Sequence, residues 1–300
     1  MADNPLLLEE SIRRRLDRLQ LVPNQVRSGA IKGERRSKKR GTSIEFADYR
    51  NYSPGDDLRR LDWNVYARLE RPYIKLLEDE EDLAVHILLD ASASMNYPEE
   101  GTADEKKSLY ARRLFSALGY IGLSTNDRVM MSAINDQGLQ SFGPTRGRGQ
   151  TIGMLRYVHA LEAQGVTDLN QSLHDYTLRV NRPGLVFVIS DMFSPTGYID
   201  GLNALVGRGY EVVLIHVLAR EEVEPSITGD LRLIDVESGD GQEVSMDSFM
   251  RDLYIQRVQE WRDEIRNECN RRNIQYVSAV TDYAWEKVIL FDLRRLGVIK

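Results

Sequence analysis

The amino-acid sequence predicts an α/β fold: a doubly wound, mostly parallel sheet with helices on both faces, preceded by an N-terminal helix and a small basic module that contains β-structure. Two observations predict it. From residue 83 onward, short and nearly continuous apolar runs alternate with longer amphipathic segments. Before that point the chain is rich in aromatic and charged residues without clear periodicity. This contrast predicts two parts, residues 1–80 and residues 81–300.

The first part begins with apolar side chains at helical spacing over residues 5–22, so we expect a helix that Pro23 closes. The run KGERRSKKR, Lys32 to Arg40, follows it. We interpret this run as a solvated or partner-facing loop and not as a nucleic-acid patch, because no aromatic residues interleave with it. Farther on, the Pro-Gly pair of SPGDD predicts a turn, and the alternation in PYIKLLEDE predicts a strand.

The second part is regular. Its apolar runs predict buried strands at residues 83–90, 128–135, 184–191, 210–218 and 274–280. Its amphipathic segments predict helices at residues 106–124, 150–163, 167–180, 196–208, 247–273 and 284–296. The segment INDQGLQSF holds a turn between two short extended runs, which predicts an antiparallel hairpin at one edge of the sheet. LRLIDVESGDGQEVSM predicts two more short strands around a Ser-Gly-Asp-Gly turn.

Composition limits the class of protein. With 42% hydrophobic and 29% charged residues the chain has the profile of a globular protein. No apolar run approaches the roughly 18 residues that a membrane span needs, and the N-terminus lacks the apolar core of a signal peptide, so a cytoplasmic location and no integral membrane segment are expected. The single cysteine, Cys269, excludes an intrachain disulfide and is expected to be inert.

The net charge of -6 is unevenly distributed. Residues 1–77 hold 17 basic and 11 acidic side chains, whereas the rest of the chain holds 23 basic and 35 acidic ones. Such a split predicts two regions with different surfaces.

Oxygen-bearing side chains follow the predicted strands. Asp90, Ser92 and Ser94 come directly after the first strand, Thr167 opens a helix after a glycine turn, and Asp191 ends a later strand. Ligands of open α/β sheets bind outside the carboxyl ends of the strands, so we expect these five residues, the oxygen set, to converge. Carboxylate and hydroxyl oxygens suit Mg²⁺, with Mn²⁺ or Ca²⁺ as alternatives.

The oxygen set resembles the metal-ion-dependent adhesion site (MIDAS) of von Willebrand factor A (vWA) domains. The resemblance implies that the two serines and the threonine contact the ion, while the two aspartates act mostly through bound water. One departure is the Met192-Phe193 pair, which stands where the family often has glycine. The resemblance implies a vWA-like sheet over roughly residues 83–220.

The segment GTSIEFADYRNYSPGDDLRRLDW, Gly41 to Trp63, resembles the signature of the bacterial family called domain of unknown function 58 (DUF58). The resemblance implies association with MoxR-type AAA+ ATPases, because members of the family are commonly encoded beside them. Many members carry N-terminal membrane helices, which we do not expect here because no apolar run in the sequence is long enough to span a membrane. For the polar residues of this segment, among them Asp56, Asp57 and Asp62, we expect a structural role in a salt-bridged module.

These observations predict a non-enzymatic, Mg²⁺-dependent interaction protein. Its partner would be a MoxR-type AAA+ ATPase or a client protein, bound through an acidic side chain at the metal, in the maturation or assembly of other proteins. No nucleic-acid partner is expected. Neither a nucleophile elbow nor a phosphate-binding loop of the Walker type is present in the sequence. The alternative is a metal-dependent phosphoester hydrolase that uses Asp90.

Overall fold

The computed structural model describes residues 7–23, 45–78, 83–98, 106–180, 182–226, 229–234 and 241–300. The chain forms two compact units, the larger of Met1–Asn24 with Leu83–Lys300 and the smaller of Gln25–Asp82. The N-terminal segment thus belongs with the larger unit, which differs from a division at residue 80. The basic run at residues 32–40 lies outside the described residues.

The N-terminal helix, α1, spans Glu10–Leu16 and is much shorter than the predicted helix over residues 5–22. The chain leaves the helix because the segment that follows pairs with the C-terminus. Gln20 and Lys300 exchange two backbone hydrogen bonds of 2.9 Å each, which requires an extended backbone. Leu16 and Leu19 are nevertheless both buried. The apolar periodicity therefore predicts correctly which side chains are buried, although the residues after Leu16 are not helical.

The smaller unit contains an antiparallel pair of strands, β1 (Glu45–Asn51) and β2 (Tyr73–Glu78), and the short helix α2 (Trp63–Leu69) between them. The predicted strand in PYIKLLEDE is therefore confirmed as β2.

Carboxylates of the signature segment shape this unit. Asp56 accepts two hydrogen bonds from the guanidinium of Arg50, at 2.7 and 2.8 Å. Asp62 caps the N-terminus of α2, accepting from the backbone amide of Asn64 at 2.9 Å, and its other oxygen accepts from the Tyr49 hydroxyl at 2.7 Å. These contacts give the acidic residues the structural role that the sequence predicts.

The larger unit contains the sheet and the helices that cover it. Its described strands are β3 (Ala84–Asp90), β4 (Arg128–Asn135), β5 (Gly138–Thr145), β6 (Leu185–Ser190), β7 (Glu211–Leu218), β8 (Gly229–Ile234), β9 (Gly241–Met246) and β10 (Gln275–Val280). Its described α-helices are α3 (Lys107–Ser124), α4 (Thr151–His159), α5 (Leu169–Arg179), α6 (Ile199–Gly207), α7 (Arg220–Val223), α8 (Ser248–Arg271), α9 (Trp285–Lys287) and α10 (Leu293–Arg295).

Six of these strands form the main sheet in the order β10-β7-β6-β3-β4-β5. All neighbours are parallel except β5, which forms the predicted antiparallel hairpin with β4. β8 and β9 form a separate antiparallel pair, as LRLIDVESGDGQEVSM predicts. The predicted fold class is confirmed.

Every residue of β3, β6 and β7 is buried, which is why these strands read as continuous apolar runs. One layer of core lies between the sheet and α3, and a second lies on the opposite face against α5, α6 and α8. The central strands are therefore covered on both sides, and only their ends reach the surface.

The C-terminal helix predicted over residues 284–296 is interrupted. A π-helical turn, Val288–Asp292, separates α9 from α10. Val288, Ile289 and Leu293 are all buried, and a π turn brings side chains five residues apart onto one face, whereas a regular α-helix does so at four. No helix in the described ranges is long and apolar enough to cross a membrane.

Candidate metal site

The candidate site lies where the strand order of the main sheet reverses. The chain proceeds from β3 to β4 on one side and later enters β6 on the other side of β3, so the edge beyond β3 and β6 is the switch point at which open α/β sheets bind ligands. Asp90 is the last residue of β3, and Asp191 directly follows β6. Because β3 and β6 are parallel neighbours, both aspartates lie at the same edge.

Direct hydrogen bonds tie the loops of this edge together. Ser190, the last residue of β6, donates its hydroxyl to the Asp90 carboxylate at 2.7 Å. The backbone amide of Ala93 donates to the carbonyl of Gly165 at 2.8 Å. The loop after β3 is thus fixed both to the end of β6 and to the loop that leads to Thr167.

The first loop turns sharply after Asp90. The amide of Ser92 donates to the Asp90 carboxylate at 3.0 Å, an aspartate turn, and a 3₁₀ turn begins at Ala93. The backbone is extended only as far as Ser92. The turn nevertheless brings the hydroxyls of Ser92 and Ser94 within 3.0 Å of each other, so the two serines do converge.

Thr167 has an unsatisfied hydroxyl. The residue is 3% exposed, and its Oγ1 has no hydrogen-bond partner among the described residues. The neighbouring Asp168 caps α5 by accepting from the amide of Gln171 at 2.9 Å, so Thr167 is not needed as the cap. Its carbonyl accepts from the Ser194 hydroxyl at 3.3 Å, which joins this loop to the one after β6. A buried hydroxyl without a partner costs about 1–3 kcal/mol, so it needs an explanation.

Asp191 is fully buried and pairs with a buried lysine. Its Oδ2 lies 2.7 Å from Nζ of Lys107, and its Oδ1 accepts from the amide of Phe193 at 3.1 Å. Lys107, at the start of α3, also contacts Glu222 at 2.7 Å. Sequence reasoning missed Lys107, Glu222 and Ser190. The signal for Lys107 was its place on the apolar face of α3, three residues before the buried Tyr110.

Burial and neighbouring charges shift the pKa values of the acidic and basic side chains at this edge of the sheet. Loss of solvent first, and the Asp191 charge second, raise the pKa of the Asp90 carboxyl to about 6. Burial also raises the pKa of Glu222, although Lys107 opposes it. For Lys107 itself, burial lowers the pKa, but its two carboxylate partners outweigh burial, so the ammonium stays charged. The carboxylates of Asp90, Asp191 and Glu222 therefore outnumber the one ammonium, that of Lys107, which is buried with them among the described residues.

Two buried histidines of the central strands, His86 in β3 and His216 in β7, are not part of the site. Burial lowers the pKa of His86 to about 4 and that of His216 to about 3, so both are neutral at physiological pH. His216 uses its ring nitrogens on the Tyr276 hydroxyl at 2.8 Å and on the Asp191 carbonyl at 3.1 Å. Both are core residues, as the sequence predicts.

The loop after β6 adopts its conformation without glycine. Met192 has a φ of 62°, in the left-handed region, at a cost of roughly 1–2 kcal/mol. Its amide donates to the Ser190 hydroxyl at 2.9 Å, and its side chain is only 3% exposed. The departure from the family pattern is thus compensated by burial of the methionine and by the serine.

The donor set fits a hard divalent cation. Two carboxylates, two adjacent hydroxyls and one orphaned hydroxyl lie in three loops that are hydrogen-bonded to one another. Among the described residues no three His, Cys, Asp or Glu side chains group as metal ligands, so the hydroxyls would have to complete any such shell. As metal ligands, the members of the oxygen set remain a prediction.

Comparison with known proteins identifies relatives. Residues 48–264 match the family model described as Protein of unknown function DUF58. An uncharacterized protein of Mycobacterium tuberculosis is 28% identical over 270 residues, which are 89% of this chain and 84% of the relative. An uncharacterized protein of Mycobacterium avium is 29% identical over 120 residues, 39% of this chain and 70% of that protein.

Solved structures with some similarity include the conserved hypothetical protein BatB from Bacteroides thetaiotaomicron, with a TM-score of 0.41 and 17% identity over 72% of this chain and 98% of that one. An aerotolerance-related membrane protein from Bacteroides fragilis has a TM-score of 0.44 and 17% identity over 71% and 99% of the two chains. A von Willebrand factor type A protein from Catenulispora acidiphila has a TM-score of 0.36 and 14% identity over 49% and 35%.

Proposed function

This chain belongs to the DUF58 family, and from that premise we propose that its larger unit is a Mg²⁺-dependent protein-interaction domain with a MIDAS-type site that receives an acidic side chain of a partner. The observation that carries the proposal is the buried, unpartnered hydroxyl of Thr167 in a loop bonded to both aspartate-bearing loops. A hydroxyl ligand for a cation would account for its cost.

Ser92, Ser94 and Thr167 would hold the ion directly, and Asp90 and Asp191 would act through water. The hydrogen bonds of the two aspartates support this division. Asp191 already uses one oxygen on Lys107 and the other on the Phe193 amide, so it is better placed to orient water than to ligate. When bound, Mg²⁺ supplies a compact positive charge with room for one exogenous carboxylate.

Lys107 sets the charge of the proposed site. Its ammonium is shared between Asp191, a member of the oxygen set, and Glu222, which lies outside the set. A divalent ion whose direct protein ligands are three neutral hydroxyls stays electron-poor, which favours an added carboxylate ligand. Truncation of Lys107 should therefore tighten metal binding while weakening the charge-dependent capture of an acidic partner.

For the partner we propose a MoxR-type AAA+ ATPase or a client protein of it, with this chain as adaptor or cofactor in maturation or assembly. The support is the resemblance of the signature segment, whose acidic residues have structural roles in the smaller unit.

The alternative is a hydrolase with Asp90 as nucleophile. Both Asp90 oxygens accept hydrogen bonds, from Ser190 and from the Ser92 amide. The residue is only 6% exposed, and its raised pKa favours the protonated, non-nucleophilic form more than usual. These features favour a role in holding the site over attack on a phosphate ester.

The test is a pull-down of a MoxR-type ATPase from the same organism on immobilised protein, in Mg²⁺ and in EDTA, beside turnover of para-nitrophenyl phosphate. We expect Mg²⁺-dependent capture that Asp90→Ala abolishes, without phosphatase turnover. Metal-dependent turnover that is lost in Asp90→Ala, with no metal-dependent capture, would establish the hydrolase instead. The exposed neighbour variant Asp168→Asn serves as control, because asparagine also caps a helix.

A further inference from the structure

Exposed apolar side chains lie beside the candidate metal site. They are Phe193 in the loop after β6 and four residues in the first two turns of α8, which are Phe249, Met250, Leu253 and Tyr254. We call these five residues the apolar rim. Phe249 is 72% exposed and Phe193 is 44% exposed, whereas the other three are between 37% and 39% exposed. Positions i, i+1, i+4 and i+5 of a helix share one side, so the four α8 residues form one surface.

The apolar rim is continuous with the metal site. The Phe193 ring centre lies 5.2 Å from Nζ of Lys107, the lysine that holds Asp191. At the α8 end, the Tyr254 hydroxyl donates to the Glu222 carbonyl at 2.9 Å, and the carboxylate of Glu222 holds the same lysine. One buried ammonium thus links both ends of the rim to the oxygen set.

The Phe193 end of the rim is held in place by a second aromatic ring. The Phe193 ring stacks on Trp261 of α8 with a centroid distance of 5.0 Å and an interplanar angle of 3°. A stacked aromatic pair presents a flat, fixed apolar face at small entropic cost to a ligand. Exposed apolar side chains next to a polar site are typical of an interaction surface.

We propose that the apolar rim binds a large apolar side chain of the same partner segment that brings the carboxylate to the metal site. This inference rests on the proposed function. Lys107 lies 2.7 Å from Asp191 and 5.2 Å from the Phe193 ring, so the ring is within about 8 Å of the aspartate oxygen. In an extended peptide, side chains two residues apart lie on one side, about 6.6 Å from each other. The segment recognised is therefore an Asp or Glu with an aromatic or large aliphatic residue two positions away.

Two other occupants fit less well. An anionic membrane surface would meet a region with 35 acidic and 23 basic side chains from residue 78 onward, which disfavours it. A second copy of this chain, packed rim to rim about a two-fold axis, would place the two buried carboxylate clusters of Asp191 and Glu222 near each other. A separate segment places a single carboxylate at the proposed cation, where the positive charge of the ion offsets the acidity of the region, and it brings no second buried carboxylate cluster.

The experiment measures binding of three blocked peptides to the full chain by ligand-observed NMR titration, in Mg²⁺ and in EDTA. The peptides are Gly-Glu-Gly-Phe-Gly, its reverse Gly-Phe-Gly-Glu-Gly, and Gly-Glu-Gly-Gly-Gly. We expect one phenylalanine peptide to bind about tenfold more tightly than the glycine peptide in Mg²⁺, the gain from partial burial of one aromatic ring. Phe193→Ala should reduce that ratio to near one. Phe291→Ala, which removes a 59% exposed phenylalanine elsewhere, should leave it at tenfold.

The possible results separate this inference from the proposed function. Mg²⁺-dependent binding of all three peptides with equal affinity would overturn the inference that the rim binds an apolar side chain, but not the proposed metal site. Binding that does not depend on Mg²⁺ would overturn both. Concentration-dependent dimerisation that Phe193→Ala abolishes, measured by sedimentation velocity, would assign the rim to a second copy and overturn the inference. Retention of the tenfold ratio in both Phe193→Ala and Leu253→Ser would also overturn it.

Discussion

Replacement of Asp90 by asparagine should make the metal-free protein more stable at neutral pH, although Asp90 is the residue from which the candidate site is built. The reason is that its carboxylate is 6% exposed and lies near Asp191, so that its ionisation destabilises the folded state. Asparagine is nearly the same size and keeps an acceptor for the Ser92 amide. It removes the charge.

The magnitude follows from the pKa. The pKa of Asp90 is raised from 3.8 to about 6, mainly by burial. A shift of about two units corresponds to roughly 3 kcal/mol against the ionised form. Because the folded-state pKa lies above the unfolded one, this penalty is absent below pH 4 and grows until the pH passes 6. Loss of the hydrogen bond from the Ser190 hydroxyl costs about 1 kcal/mol. The free energy of unfolding of Asp90→Asn at pH 7.5 should therefore exceed that of wild type by about 2 kcal/mol.

The assay is urea unfolding of wild type and Asp90→Asn in EDTA at pH 4 and at pH 7.5. We expect the variant to be about 1 kcal/mol less stable at pH 4 and about 2 kcal/mol more stable at pH 7.5. In a thermal scan at pH 7.5 the gain corresponds to roughly 4–8 °C. Asp168→Asn, at an exposed cap in the neighbouring loop, is the matched control.

An Asp90→Asn variant whose stability relative to wild type is the same at both pH values would refute the reasoning. It would mean that ionisation of Asp90 does not destabilise the folded protein. A bound cation would then have no unfavourable negative charge at Asp90 to offset. Added Mg²⁺ gives a second check, since it should stabilise wild type and leave the variant unchanged.

Two further substitutions test the electrostatics of each unit. Lys107→Met should destabilise the larger unit by about 3–5 kcal/mol at pH 7.5, because it leaves the Asp191 and Glu222 carboxylates buried without a cation. Because burial raises the pKa of Glu222, the loss should shrink at acidic pH, and a pH-independent loss would contradict this cause. Asp62→Ala should destabilise the smaller unit by about 1–3 kcal/mol, because it removes both the α2 cap and the acceptor of the Tyr49 hydroxyl. Urea unfolding followed by the fluorescence of the neighbouring tryptophan measures this, and an unchanged midpoint would contradict it.

The sequence predicted the sheet well because its central strands are buried on both faces and therefore carry uninterrupted apolar runs. The strand that ends at Asp90 is an example, with all seven residues buried. Where an element is fixed by tertiary pairing, the prediction failed. Residues 17–22 have helical periodicity but pair with the C-terminus, so their apolar pattern could not reveal their conformation.

For the candidate site, the order of oxygen residues along the chain sufficed to place them at one edge, because parallel neighbouring strands end together. The ion pairs beneath it could not be predicted. Lys107 contacts Asp191 and Glu222, which lie 84 and 115 positions farther along the chain, and only the fold brings them together. Lysine is commonly a solvated residue, so its place on an apolar helix face was the one available sign.

The most direct test of the central claim is a titration with Mn²⁺ followed by electron paramagnetic resonance, with Mg²⁺ as competitor. We expect one Mn²⁺ per chain, displaced by Mg²⁺, and at least tenfold weaker binding in Thr167→Val, which keeps the shape of the side chain and removes its unpartnered hydroxyl. Thr177→Val, at a buried threonine whose hydroxyl donates to the His174 carbonyl, is the matched control and should bind Mn²⁺ as wild type does. Equal Mn²⁺ affinity in Thr167→Val and wild type, or no binding at all, would contradict the account.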